Sequence, residues 1–240
     1  MKISSFDLIG PIAILSERTK NSKKTANYLL KAHKNIKTVL IKTGKYKGLY
    51  RLPKLKFIAG VKTTKTIYRE NKCVFSLDLS TCYFSPRTAS ERLRIANQVK
   101  KNEIVLNLFS GISPFSIVVS KNSNPKEITD IEINKEAAKY AKENLKLNKI
   151  NNIKVLKGNV KNIVPKLKKK FDRIIMHLPK TSKRYVPLAL KVLKKNGTLH
   201  YYFFAKKPRI QFKGLKQIKI SRLNQVSPGK YKFCIDFKKL

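Results

Sequence analysis

The stretch Asn102-Glu-Ile-Val-Leu-Asn-Leu-Phe-Ser-Gly-Ile-Ser-Pro-Phe-Ser-Ile-Val-Val119 limits the possible folds more than any other part of the chain. Ile104 to Leu108 is a short apolar run of the length and type of a buried parallel strand. The chain turns at Ser110-Gly111 and resumes as an apolar segment from Pro114, a residue suited to the first turn of a helix. Strand, glycine turn and helix form the entry to a nucleotide-type site. Glycine lets the backbone approach a ligand, and helix N–H groups face it. Alone, the pattern more often marks plain α/β packing. The next strand shifts the balance. Glu127-Ile-Thr-Asp-Ile-Glu-Ile-Asn134 ends in acidic residues roughly twenty positions after the turn, where a carboxylate accepts both hydroxyls of a ribose.

Around this stretch the chain alternates strands and helices. Ser90 to Val99 reads as a helix entering the central strand. Strands follow at Ile128–Ile133, Ile153–Leu156, Phe171–Met176 and Thr198–Phe204. Helices lie between them at Lys135–Leu147, from Asn159 to Lys170, and from Tyr185 to Leu193 with a stop at Asn196-Gly197. Such alternation argues for a parallel sheet with helical crossovers. A closing hairpin, Gln217–Val226 and Tyr231–Phe237 around Pro228-Gly229, adds antiparallel strands at one edge.

Residues 1–82 read as a small α+β domain. Ile9–Leu15 is a strand-like run, and Ser22–His33 is a helix with Ala26, Leu29, Leu30 and His33 on one face. Further strands are expected at Thr38–Lys42, Gly48–Arg51, Phe57–Gly60, Thr66–Tyr68 and Cys73–Leu79. The polar alternation of the last suggests an antiparallel sheet with one wet face. Tyr83–Arg87 is a joint, since Pro86 holds Ser85 extended. Residues 83–240 then form the second domain.

Charge bears on the partner. Lys and Arg number 55 against 13 Asp and Glu, a formal +42. A polyanion is the natural partner, because each neutralised phosphate releases counterions. Cys73, Cys82 and Cys234 form no CxxC pair and no zinc spacing, and the histidines are equally scattered, so neither a metal site nor a disulfide framework is expected. With no signal-peptide pattern and no long apolar run, a soluble, cytoplasmic protein without membrane association is expected.

Ligands of an open parallel sheet bind beyond the C-terminal ends of its strands. That rule gathers Phe109–Ser113, Glu132–Asn134, Asn159 and His177–Pro179. Together they suggest a class I S-adenosylmethionine site, with Phe109 and Gly111 at the methionine end and Glu132 on the ribose. The Asn159 side-chain oxygen would face the adenine amino group, although Asn159 by itself reads as a turn residue.

Several motifs extend this. Gly48-Leu-Tyr-Arg51, Lys65-Thr-Ile-Tyr-Arg-Glu-Asn71, Tyr83-Phe-Ser-Pro-Arg-Thr-Ala-Ser-Glu-Arg92, Leu108-Phe-Ser-Gly-Ile-Ser-Pro-Phe115 and Asp172-Arg-Ile-Ile-Met-His-Leu-Pro179 occur in that order. The chain thereby resembles the archaeal/eukaryotic tRNA guanine-37 N1-methyltransferase family over nearly its whole length. The resemblance implies a Rossmann-like class I methyltransferase domain behind a small N-terminal α+β domain. It also implies S-adenosylmethionine as cofactor, the anticodon arm of tRNA as partner, a monomer, and methylation of N1 of guanosine 37. It places catalytic roles on Arg51, Glu91 (the general base), His177 and Pro179, and cofactor contacts on Tyr83, Arg87, Phe109, Gly111, Glu132 and Asn159. The sequence departs from the family at His177 (Asn in the family's Asn-Leu-Pro), Asn107 (acidic), Ser113 (glycine), Asn159 (acidic) and Lys135 (the Pro of Asn-Pro). It begins almost at once with the family's second domain, lacking the segment that grips the outer corner of tRNA in many archaeal members. Alternatives are a bifunctional enzyme that also methylates C7 of the wyosine precursor, an aminocarboxypropyl transferase, and a non-catalytic RNA-binding module.

Overall fold

A computed structural model describes residues 6–44, 48–178 and 181–240. The chain divides into two compact units, Met1–Pro86 and Arg87–Leu240.

In the first unit, β1 (Asp7–Ile9), β2 (Ile12–Leu15), β3 (Thr38–Lys42) and β4 (Leu55–Gly60) form a sheet in that order. The run expected as one strand over 9–15 is a tight hairpin, because Gly10 turns it in the left-handed region at φ 56. A Cβ there would lie 2.2 Å from the carbonyl oxygen of Ile67, so only glycine fits. α1 (Ser22–Ala32) crosses from β2 to β3 and makes them parallel, so the sheet is mixed rather than antiparallel. Ala26 and Leu29 of this helix pack on Ala13, Leu15, Ile36 and Val39. His33 is not on that face; it ends the helix in extended geometry and is exposed. Gly48–Arg51, expected as a strand, is a turn: Gly48 is at φ 70, and the Arg51 amide donates to the Gly48 carbonyl. β5 (Lys65–Glu70) and β6 (Cys73–Asp78) form a separate hairpin, with Cys73, Phe75 and Leu77 turned inward.

The second unit opens with α2 (Ala89–Ala96). It continues through β7 (Ile104–Leu108), α3 (Pro114–Asn122), β8 (Glu127–Glu132), α4 (Lys135–Leu147) and β9 (Ile153–Lys157). Next come α5 (Val160–Ile163), β10 (Phe171–Met176), α6 (Val186–Val192), β11 (Leu193–Ala205), β12 (Leu215–Ser227) and β13 (Lys230–Lys239). The seven strands lie in the order β12-β13-β11-β10-β7-β8-β9. Those from β11 to β9 are parallel, and β13 runs antiparallel between β11 and β12. After β9 the chain returns to the far side of β7, so the order reverses between β7 and β10. That is where an open α/β sheet leaves a crevice for ligands. The basic helix expected to Lys170 is short, because Pro165 interrupts the helical ladder and the remainder is a single 3-10 turn. α6 ends at Val192, and Leu193 already pairs with Phe171.

Both faces of the β11–β13 pair are buried, and alternation separates two chemistries. One face carries Tyr201, Phe203, Phe233, Ile235 and Phe237; the other carries His200, Tyr202, Lys232, Cys234 and Asp236. The polar face packs over α2, where Glu91 and Arg94 meet it. Among the described residues no helix is long and apolar enough to cross a membrane.

Candidate active site

Hydrogen bonds stitch the C-terminal ends of β7, β8 and β9 together. Ser110 N donates to the Ile131 carbonyl at 3.1 Å, and Gly158 N donates to the Glu132 carbonyl at 2.8 Å. The Glu132 side chain joins two loops: Oε2 accepts from Gly111 N and Oε1 from Asn134 N, both at 2.7 Å. Burial raises the Glu132 carboxyl above its ordinary range, opposed by these backbone donors. Asn134 also caps α4, accepting from Glu136 N and Ala137 N.

The turn after β7 is left-handed at three positions: Phe109 at φ 63, Gly111 at φ 60 and Ser113 at φ 65. Glycine adopts this freely. Phe109 and Ser113 each store on the order of 1–3 kcal/mol there, and such strain collects at ligand sites. The Phe109 ring rests against Tyr185, centroids 5.0 Å apart. Beneath the turn, Asn107 and Asp130 are register partners on adjacent strands. Asn107 Nδ2 donates to Ser116 Oγ at 2.9 Å, and the Ser116 hydroxyl donates to Asp130. A buried carboxyl therefore stands beside Asn107, supplied by the neighbouring strand. Burial pushes it up to about 6, against the hydroxyls of Ser113 and Ser116 and the Asn107 amide, and the Glu132 charge adds to the rise.

Glu91 projects from α2 into the polar face of β11 and β13 and is 4% exposed. Arg94 forks onto it, Nε to Oε2 at 2.7 Å and Nη2 to Oε1 at 2.9 Å, while the Tyr202 hydroxyl donates to Oε1 at 2.6 Å. Arg94 is shared, since Nη1 also donates to Asp236 Oδ2 at 2.7 Å. Burial opposes the Arg94 charge, but the two carboxylates outweigh it and hold the guanidinium well above its ordinary pKa. Burial likewise works against ionised Asp236, yet His200 and Arg94 keep it well below the usual range. The line continues: His200 Nδ1 lies 2.7 Å from Asp236 Oδ1, and Arg173 Nη1 donates to His200 Nε2 at 2.7 Å. Arg173 also forks onto Glu103 at 2.7 and 3.0 Å. Because Arg173 can only donate, His200 is neutral with its proton on Nδ1, and burial lowers its pKa accordingly. His200, Cys234 and Asp236 place ligand-type atoms within 4.8 Å of one another, but the two guanidinium groups already occupy them.

His177, at the end of β10, lies with its ring 4.9 Å from that of Phe115 and 4.8 Å from that of Tyr202. Tyr202 thus touches both His177 and Glu91. The expected site residues fall into groups. Phe109, Gly111 and Glu132 meet in the turn after β7, while Glu91 and His177 meet through Tyr202. Asn159 has a structural role as the cap of α5, its oxygen accepting from Lys161 N at 2.9 Å. Arg87 is exposed on the turn before α2. In the first unit the Arg51 guanidinium lies 5.2 Å from the centre of the Tyr83 ring, and Arg51 Nε is buried with no hydrogen-bond partner among the described residues. Pro179 lies outside the described residues. Sequence reasoning missed Tyr202, Arg94, Asp236 and Lys232. The only local signal was the alternation of charged and aromatic residues in the last strand.

The model of the TRM5/TYW2 methyltransferase domain matches residues 66–227. The chain is 40% identical over 204 residues to tRNA (guanine(37)-N(1))-methyltransferase Trm5b of Pyrococcus abyssi, covering 84% of this chain and 60% of that protein. It is 34% identical to tRNA (guanine(37)-N(1))/4-demethylwyosine(37)-methyltransferase Taw22 of Nanoarchaeum equitans, covering 97% of this chain and 95% of that one. A solved complex of aTrm5 with tRNALeu superposes with a TM-score of 0.86 at 30% identity, over 99% of this chain and 73% of that one. The chain belongs to the TRM5/TYW2 methyltransferase family.

Proposed function

We propose that the protein is a cytoplasmic, monomeric S-adenosylmethionine-dependent tRNA methyltransferase that acts on N1 of guanosine 37 in the anticodon arm. The observation that carries this is Glu91: a buried carboxylate oriented by a tyrosine and by an arginine shared with Asp236, in a chain of this family.

The turn after β7 fits an adenosyl group. Each Glu132 oxygen holds one backbone N–H and keeps a lone pair for a ribose hydroxyl, and Ser110 Oγ is buried with no partner among the described residues. Phe109, Gly111 and Glu132 would hold S-adenosylmethionine, which when bound supplies an electrophilic methyl group. Asn159 and Tyr83 are assigned further cofactor contacts by the family pattern alone.

N1 of guanine carries a proton, so its lone pair is released only when a base removes that proton. Glu91 is placed for this role. Tyr202 and Arg94 fix its direction. Once protonated, Glu91 no longer pairs fully with Arg94, but Asp236 still does, so no buried cation is orphaned. Negative charge then grows on O6. Arg51, with an unused buried Nε, is assigned to meet it.

The matching length of the Nanoarchaeum equitans relative favours a second activity on the wyosine precursor. Mass analysis of position 37 after reaction with purified transcript tests both. N1-methylguanosine is expected; a methylated wyosine precursor would add the second activity. An aminocarboxypropyl adduct, or no product despite cofactor binding, would overturn the proposal.

A further inference from the structure

Lys232 is 4% exposed, on the polar face of β13. Its Nζ meets Nε2 of His177 and lies 5.4 Å from the centre of the Tyr202 ring. An ammonium has three donors and no acceptor, so the imidazole nitrogen facing it must offer a lone pair. The proton of the neutral ring is then on Nδ1. A charged imidazole would set two cations in contact, which keeps the ring neutral. Across the polar face the charges balance: Arg94, Arg173 and Lys232 stand against Glu91, Glu103 and Asp236. Lys232 therefore sits in a layer already built around cations.

The consequence concerns what the end of β10 presents at the ligand crevice. Tyr202 touches the His177 ring and donates to Glu91. A donor on His177 and an acceptor on Glu91 are thus held by one aromatic ring. A guanine offers the complement, an N1–H beside oxygen and nitrogen acceptors. We infer that Lys232 is a positioning residue for the target base: it fixes the Nδ1–H tautomer of His177, which donates to an acceptor on the purine while Glu91 takes the N1 proton. This rests on the function proposed above. Asparagine carries its amide at the same δ position, so it would supply the same donor with no tautomer to set. Glutamine would place the amide at the ε position.

The tautomer can be read without RNA, by nitrogen NMR of the intact protein carrying labelled histidine, with the His177→Asn spectrum assigning the signal. Wild type should show His177 protonated on Nδ1, and Lys232→Met should populate the Nε2–H form. In single-turnover kinetics on tRNA, Lys232→Met should lower the rate about tenfold, the worth of one lost hydrogen bond, with S-adenosylmethionine affinity unchanged. Lys232→Arg keeps a donor and should recover most of the rate. In a His177→Asn background, Lys232→Met should cost less than about twofold, whereas a merely structural lysine would cost the same in both backgrounds. A wild-type His177 protonated on Nε2, or equal losses in the two backgrounds, overturns the inference. Should Lys232→Met not fold, the wild-type spectrum and Lys232→Arg still decide it. The expected tautomer in a protein that never methylates guanosine would instead overturn the proposed function, and with it the purine as the partner of His177.

Discussion

Replacing Asp130 by asparagine should stabilise the protein at high pH and change little in acid. The carboxyl is fully buried on β8 and its pKa is pushed by burial from 3.8 to about 6. The unfolded chain ionises Asp130 near the ordinary value, whereas the fold resists ionisation up to about 6. What the group contributes to stability is therefore fully present below the unfolded pKa and is lost as pH rises through the folded one. A rise of about two units, at about 1.4 kcal/mol each, makes that contribution about 3 kcal/mol. Asparagine keeps the shape of the protonated acid at every pH. Asp130→Asn should thus exceed wild type by about 2–3 kcal/mol near pH 8 and match it within about 0.5 kcal/mol near pH 4. Urea unfolding across this range, with the denaturant slope shown to be unchanged, measures the difference directly. A variant less stable than wild type at pH 8 would refute the reasoning. It would mean that the charge of Asp130 at the start of α3 outweighs the cost of burying it.

Three further outcomes are expected. Glu91→Gln should slow the chemical step by roughly 10²-fold or more with cofactor binding nearly intact, and single-turnover rates within about threefold of wild type would remove Glu91 as the base. Glu132→Ala should weaken S-adenosylmethionine binding by roughly 1.5–3 kcal/mol; calorimetry showing unchanged affinity in a folded variant would rule out the ribose contact. With a formal charge of +42, tRNA affinity should fall roughly 10³-fold or more between 50 and 200 mM salt if six or more phosphates are engaged, whereas a nearly flat salt dependence would show that phosphate contacts are few.

The central part of the fold was legible because parallel strands buried on both faces are written as apolar runs, and the runs at Ile104–Leu108 and Phe171–Met176 have no other use. Glu132 was legible for a similar reason: its role is set by its distance along the chain from a glycine turn. The Gly48–Arg51 turn misled because Leu49 and Tyr50 imitate a strand, although both are exposed. The surroundings of Glu91 could not be read locally. Arg94 meets Asp236 across 142 residues of sequence, and isolated charges in a strongly basic chain look like solvated surface. Lys232 was hidden in the same way, as one more lysine among many.

The alternating last strand has a consequence for how the molecule is made. The carboxylate that shares Arg94 and the ammonium that meets His177 both lie on β13, which pairs last in the chain and antiparallel to β11. During synthesis β7 to β10 can assemble while the polar face of β11 still lacks its cover. Contacts of such long sequence separation form slowly, because loop closure precedes their reward. Glu91 would then spend that interval beside an arginine with no second carboxylate, in a nascent enzyme able to bind its cofactor but not yet able to act. Pulsed hydrogen exchange should find protection arising in β7 and β8 before β11 and β13, separating in time the two halves of a site that are adjacent in space.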